Sequence, residues 1–113
     1  MNVKIVKSED LKENDYGDTR VTDIINEKEV PFSIAKVRKV GDGIKVGFDP
    51  KSDVAYYVLD GEGKAIVNGK EYKLKKGDCV FYPKETKYKH LKGLKLLAIS
   101  YPRFNRENRV YVE

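Results

Sequence analysis

This chain offers few reagents for chemistry: one imidazole (His90), one thiol (Cys79) and eight phenols. Tyr88 and His90 stand two apart in the run Y-K-H. On an extended strand their side chains project from the same face. An imidazole titrates near neutral pH, and a phenol beside it donates or accepts a hydrogen bond, so His90 and Tyr88 are the candidate catalytic pair. His90 and Cys79 form a nucleophile–base combination in principle. No flanking signature supports it, and a buried, inert cysteine is the simpler expectation. Asp49, Asp53 and Asp60 supply oxygen ligands of the kind a hard cation takes. They fall at turns, where aspartate commonly bonds to backbone N–H groups, and that reading is preferred. Transition-metal centres need several imidazole, thiolate or carboxylate groups converging on one point. One His and one Cys do not make such a cluster, so the sequence predicts no metal and no other cofactor.

The elements that must hold these groups read as strands. After Pro31, residues 32–40 alternate, with Ile34, Lys36 and Arg38 on one side and Ala35, Val37 and Lys39 on the other. Period two marks a half-buried strand. Residues 44–48 form a second, closed by Asp49-Pro50. V-A-Y-Y-V-L at 54–59 has strong strand propensity. Asp60-Gly61-Glu62-Gly63 is read as a turn and 64–67 as the returning strand. Asn68-Gly69 predicts a two-residue hairpin, because both positions tolerate positive φ. Further strands are expected at 71–74, 79–82, 88–91 and 94–100, punctuated by Gly77, Pro83, Gly93 and Pro102. Residues 1–30 are poorly periodic and read as an N-terminal arm or edge strand, with 8–20 a loop. Residues 31–113 form the β-domain, with at least eight strands expected between Phe32 and Val112. No helical pattern separates the strands, so the class is all-β, a sandwich or barrel.

Composition sets the boundaries. A chain of 113 residues is one domain. One cysteine allows no internal disulfide, which fits a cytoplasmic setting. The early residues alternate in charge and do not resemble a signal peptide, and no apolar run is long enough for a membrane span. Net charge is +5, and 36% of residues are charged. Trp and Gln are absent, a bias seen in thermophilic proteins. The lysines are spread along the whole chain, so a solvated surface is preferred to a nucleic-acid site.

Residues 53–101 resemble the cupin superfamily. Y-Y-V-L-D-G-E-G at 56–63 matches the end of that family's first motif, and G-D-C-V-F-Y-P at 77–83 matches the core of the second. The hairpin between them, I-V-N-G-K-E-Y-K-L-K-K-G, has the family's short intermotif form. The resemblance implies a jelly-roll barrel, a double-stranded β-helix. It also implies that the metal-binding residues are missing. The family's glutamate position falls on Val54, its first two histidines within 47–50, and its last histidine on Tyr88. In that register Tyr88 and His90 face the barrel interior, Tyr56 points the same way, and Tyr82 approaches from a neighbouring strand.

Tyr56, Tyr82, Tyr88 and His90 are therefore the candidate ligand-binding residues. An interior of phenols and one imidazole stacks against an organic ligand, or it is a filled core with its hydroxyls satisfied internally. The leading reading is a metal-independent domain binding a small polar or sugar-like molecule. The alternatives are a sugar or sugar-phosphate isomerase or epimerase and a structural or regulatory protein with a full barrel. A homodimer is expected, with a strand near residues 3–5 exchanged onto a partner's sheet edge.

Overall fold

Strand alternation decides which side chains reach the interior. In the computed structural model, which describes residues 3–112, Leu94–Tyr101 (β9) shows this most clearly. Leu94, Leu96, Ala98 and Ser100 are buried, while Lys95, Ile99 and Tyr101 face solvent. The remaining strands are Asn14–Asp15 (β1), Thr19–Ile25 (β2), Ser33–Lys39 (β3), Gly47–Phe48 (β4), Asp53–Val67 (β5), Lys70–Lys75 (β6), Cys79–Tyr82 (β7), Tyr88–His90 (β8) and Val110–Tyr111 (β10). Eight of these begin after Phe32, and every pairing is antiparallel. Asn68 and Gly69 have φ of 50° and 79° at the tip of the β5–β6 hairpin, the backbone a tight hairpin requires.

β5 organises the molecule. Its first half lies between β9 and β7, and β9 continues outward through β3, β2 and β1. Its second half lies between β6 and β8, and β8 continues through β4 to β10. One strand thus belongs to two sheets that curl around a shared interior, the architecture of a jelly-roll half-barrel.

The transfer happens where a turn was expected from Asp60-Gly61-Glu62-Gly63. The chain does not reverse there, and β5 continues through all four residues. The register against β9 shifts between Val58 and Asp60, and Gly61 takes φ +79°. Glycine supplies a bulge here rather than a reversal, and a bulge bends a strand without ending it. A Cβ at Gly61 would overlap the Gly93 carbonyl oxygen. The strand expected at 44–48 shortens to Gly47–Phe48, paired with Val110 and Tyr111.

The segment read as an arm contributes a 3₁₀ turn, Ser8–Asp10, then β1 and β2. β2 runs along β3 from Thr19 opposite Lys39 to Ile25 opposite Ile34. Val3 and Ile5 remain 87% and 76% exposed. Cys79 was expected to be buried and is exposed instead. In β7 the alternation turns Tyr82 inward and leaves Cys79 and Phe81 on the convex surface.

The core has two adjoining clusters. Val58, Leu94 and Leu96 are at most 1% exposed and fill one end. Val54, Tyr82, Tyr88 and Ala98 fill the other, with Val37 and Tyr56 packed against both. Among the described residues no helix is long and apolar enough to cross a membrane.

Candidate functional site

The four aromatic residues expected inside the barrel come together there, from three strands. Tyr56 lies on β5, Tyr82 on β7, and Tyr88 and His90 on β8. Pairing of Val54 with Tyr82 and of Val67 with Tyr88 sets their height. The Tyr82 and Tyr88 rings stack with centroids 4.0 Å apart, and Tyr56 meets His90 edge-on at 4.6 Å. The Tyr56 and Tyr88 hydroxyls are 2.8 Å apart, and Tyr82 Oη is 2.9 Å from His90 Nε2. Each phenol and Nε2 therefore has a partner, as buried polar atoms require. Arg109, ahead of β10, lies over the Tyr88 ring at 4.5 Å and donates to the Tyr88 carbonyl at 3.3 Å.

Burial governs the protonation of this cluster. It drives the His90 imidazole down to about 3, helped by the charges of Lys39 and Arg109. It raises Tyr82 and Tyr88, and it holds the Tyr56 phenol well above its ordinary value. At neutral pH the imidazole is uncharged and the phenols keep their protons. A base of such low pKa removes a proton poorly. The imidazolium is disfavoured here because its charge would sit in a buried interior beside two other cations.

Open space lies beside this cluster. Tyr56 forms one wall of a cavity of about 120 Å³. Ser33, Ala35 and Val37 line it from β3, Ala98 and Ser100 from β9, and Thr19 and Asp23 from β2. Phe104 and Arg106 stand at its mouth and also line a wider cleft of about 540 Å³ with Tyr16 and Asn26. The Arg106 guanidinium stacks 3.8 Å from the Tyr16 ring. Tyr82 borders a different cleft, with Val80 and Phe81. Tyr88 and His90 lie 4% and 5% exposed within the packed cluster. Of the four expected residues, Tyr56 is the one that joins cluster and cavity.

The sequence reading did not single out Thr19, Ser33, Ser100, Phe104 and Arg106. For Ser33 the signal was present, since it shares the face of Ala35 and Val37 on an alternating strand. The tail residues Phe104 and Arg106 reach the mouth through long-range contacts. Phe104 N donates to Ser33 Oγ at 2.8 Å, and its carbonyl accepts from Asn26 at 2.9 Å.

The positions that would hold a metal do not fit one. Val54 is apolar and buried, and Tyr88 is stacked on Tyr82 with its hydroxyl committed to Tyr56. Among the described residues no group of three or more His, Cys, Asp or Glu side chains converges. The aspartates serve the backbone instead. Asp49 Oδ1 accepts from Lys51 and Ser52 N–H, Asp53 from Lys84, and Asp60 from Gly61.

Two curled antiparallel sheets, a shared strand and an aromatic interior open at one side define a small jelly-roll barrel with an internal pocket. The chain belongs to the cupin superfamily: the Cupin_2 family, a cupin domain, matches residues 39–93. It is 30% identical to the uncharacterized protein MJ1618 of Methanocaldococcus jannaschii, over 100% of this chain and 99% of that one. In structure it is similar to Streptomyces Pac13, a nucleoside dehydratase, solved with uridine in a Tyr-to-Phe variant. That likeness has a TM-score of 0.88 at 16% identity and covers 100% of this chain and 93% of the other. The polyketide cyclase RemF of Streptomyces resistomycificus gives 0.81 at 17% identity, covering 99% and 87%.

Proposed function

We propose that this protein binds a small polar molecule, without a metal, in the cavity walled by Tyr56. The observation that carries the reading is the lining itself. Three hydroxyl side chains and Tyr56 converge on a space walled by Val21, Ala35, Val37 and Ala98, with Asp23, Phe104 and Arg106 completing the lining. Small-molecule sites have this form, a mostly apolar wall with a few polar groups that fix orientation. A water occupies about 30 Å³ of liquid, so the cavity takes only a handful of heavy atoms. A nucleoside of the kind seen in Pac13 would extend past Phe104 and Arg106 into the wider cleft. The low basicity of His90 weighs against an isomerase or epimerase that uses it as base.

The test fills the cavity. Ala35→Leu adds three carbons to its wall. In a thermal-shift screen of short polyols, sugars, small carboxylates and nucleosides, wild type should show a hit, and the variant should lose at least tenfold in affinity while keeping its strand spectrum. A ligand that binds both proteins equally would place the site elsewhere.

A homodimer belongs to the same proposal. On the convex face Phe81, Ala55 and Ile99 lie side by side across β7, β5 and β9, with Tyr57 beside Cys79. Phe81, Ile99 and Tyr101 are 59%, 41% and 62% exposed. A second copy, bringing its own exposed Val3 and Ile5, would cover this apolar surface. Cys79 should then react with an aromatic disulfide reagent within minutes at nanomolar protein, and at least tenfold more slowly at high micromolar protein. A rate independent of concentration would count against the dimer.

A further inference from the structure

We propose that Lys39 is a carbonyl-reactive amine that forms a reversible imine with a small hydroxylated aldehyde or ketone seated in the cavity beside Tyr56. The proposal rests on the cavity reading above and assigns the ligand a chemical class. Lys39 ends β3 on the inward face it shares with Ser33, Ala35 and Val37, and it is 6% exposed. Its Nζ hydrogen-bonds Thr19 Oγ1, and Thr19 is part of the cavity wall. Lys39 is not itself part of that lining, so a ligand in the cavity reaches the amine by displacing the Thr19 hydroxyl from Nζ.

A lysine buried for structural reasons ordinarily has a carboxylate in contact, because an uncompensated ammonium is costly. Among the described residues Lys39 makes no such ion pair. Asp18, beside β2, and Asp42, in the turn after β3, act on it through space, and Arg109 opposes them. Burial prevails and lowers the ammonium to about 8. The neutral amine is the nucleophile, and at pH 8 about half of Lys39 is neutral, roughly a hundredfold more than an ordinary lysine.

The remaining lining suits a hydroxylated carbonyl compound. Ser33, Ser100 and Tyr56 offer hydrogen bonds, and about 120 Å³ admits three or four carbons. The Lys39 nitrogen lone pair attacks the carbonyl carbon to give a carbinolamine. Loss of the former carbonyl oxygen as water, with both amine protons, leaves the C=N bond. No oxidant or reductant enters, and hydrolysis reverses the step.

The experiment uses the intact protein at pH 8 with glyceraldehyde and sodium cyanoborohydride, which reduces any imine to a stable secondary amine. Peptide mapping by mass spectrometry then locates the adducts. Lys39 should be labelled at least tenfold faster than the average of the other lysines, and Ala35→Leu should remove that advantage while leaving surface labelling unchanged. Lys39→Met should lose the fast phase, and protein unfolded in urea should label evenly. Even labelling of the folded protein, or an unmodified Lys39, overturns the proposal. If the thermal-shift hit is nevertheless present and blocked by Ala35→Leu, the cavity reading stands and only the imine fails. If glyceraldehyde shifts melting equally in wild type and Lys39→Met, the amine is not the reacting group and the proposal is likewise overturned.

Discussion

Gly61→Ala should destabilise the fold by about 2–5 kcal/mol, a large share of what a domain of this size has. Two costs add at this position. A residue with a Cβ is strained at φ +79°, which by itself costs about 1–2 kcal/mol. The new methyl would also run into the Gly93 carbonyl, a backbone atom that cannot swing aside as a side chain does. Gly93 has φ +102°, and its own Cβ would overlap the Glu62 carbonyl, so the two glycines are fitted against each other. Gly69→Ala is the matched control. Gly69 has the same φ of +79°, and a methyl there would meet nothing within 4 Å. Urea unfolding of the two variants separates strain from overlap. Equal losses would mean that the close approach of β5 to the β8–β9 loop contributes nothing.

The second large effect is in acid. His90 has a folded pKa of about 3 against about 6.5 in an unfolded chain. Between these values the unfolded state binds a proton that the folded state refuses. Stability is therefore complete above pH 6.5 and falls as the pH drops toward 3. From pH 6.5 to 4.5 the loss should be about 2–3 kcal/mol, at roughly 1.4 kcal/mol per pH unit. This window isolates His90. Glu13 and Glu29 have lowered folded values and contribute only below the ordinary carboxylate range. Lys39, lowered from 10.5 to about 8, adds stability as pH rises between those values and nothing in acid. Unfolding measured at half-unit steps should slope in wild type and be flat to within about 0.5 kcal/mol in His90→Gln. Parallel curves would mean that His90 is protonated without penalty in the folded protein.

Both effects arise where local pattern and long-range arrangement meet. Alternation in 32–40 divided β3 into two faces, because a strand repeats every two residues whatever lies beside it. Tyr88 and His90 shared a face for the same reason. Asn68-Gly69 specified its hairpin through the φ values that those residues tolerate. The two motif stretches at 56–63 and 77–83 indicated the jelly roll, and the loss of metal-ligand residue types was a matter of composition.

Other features depend on what the fold brings against each residue. D-G-E-G has the same composition whether it turns the chain or kinks it, and pairing with β9 on one side and β6 on the other carries β5 on through the bend. Cys79 is apolar enough to sit inside, yet Tyr82 takes the interior side and its alternation sends the thiol out. The cavity joins Thr19, Ser33, Tyr56, Ser100 and Arg106, residues far apart in sequence and adjacent only once β2, β3, β9 and β5 are in register. Protonation is likewise tertiary: Lys39 and His90 take their values from the water they lose on folding. Sequence determined most of the strands between 32 and 101 and the residue types available for chemistry, since these follow from local sterics and period. Tertiary structure decided which faces enclose space and which charged groups are stripped of solvent, since those depend on contacts between distant segments.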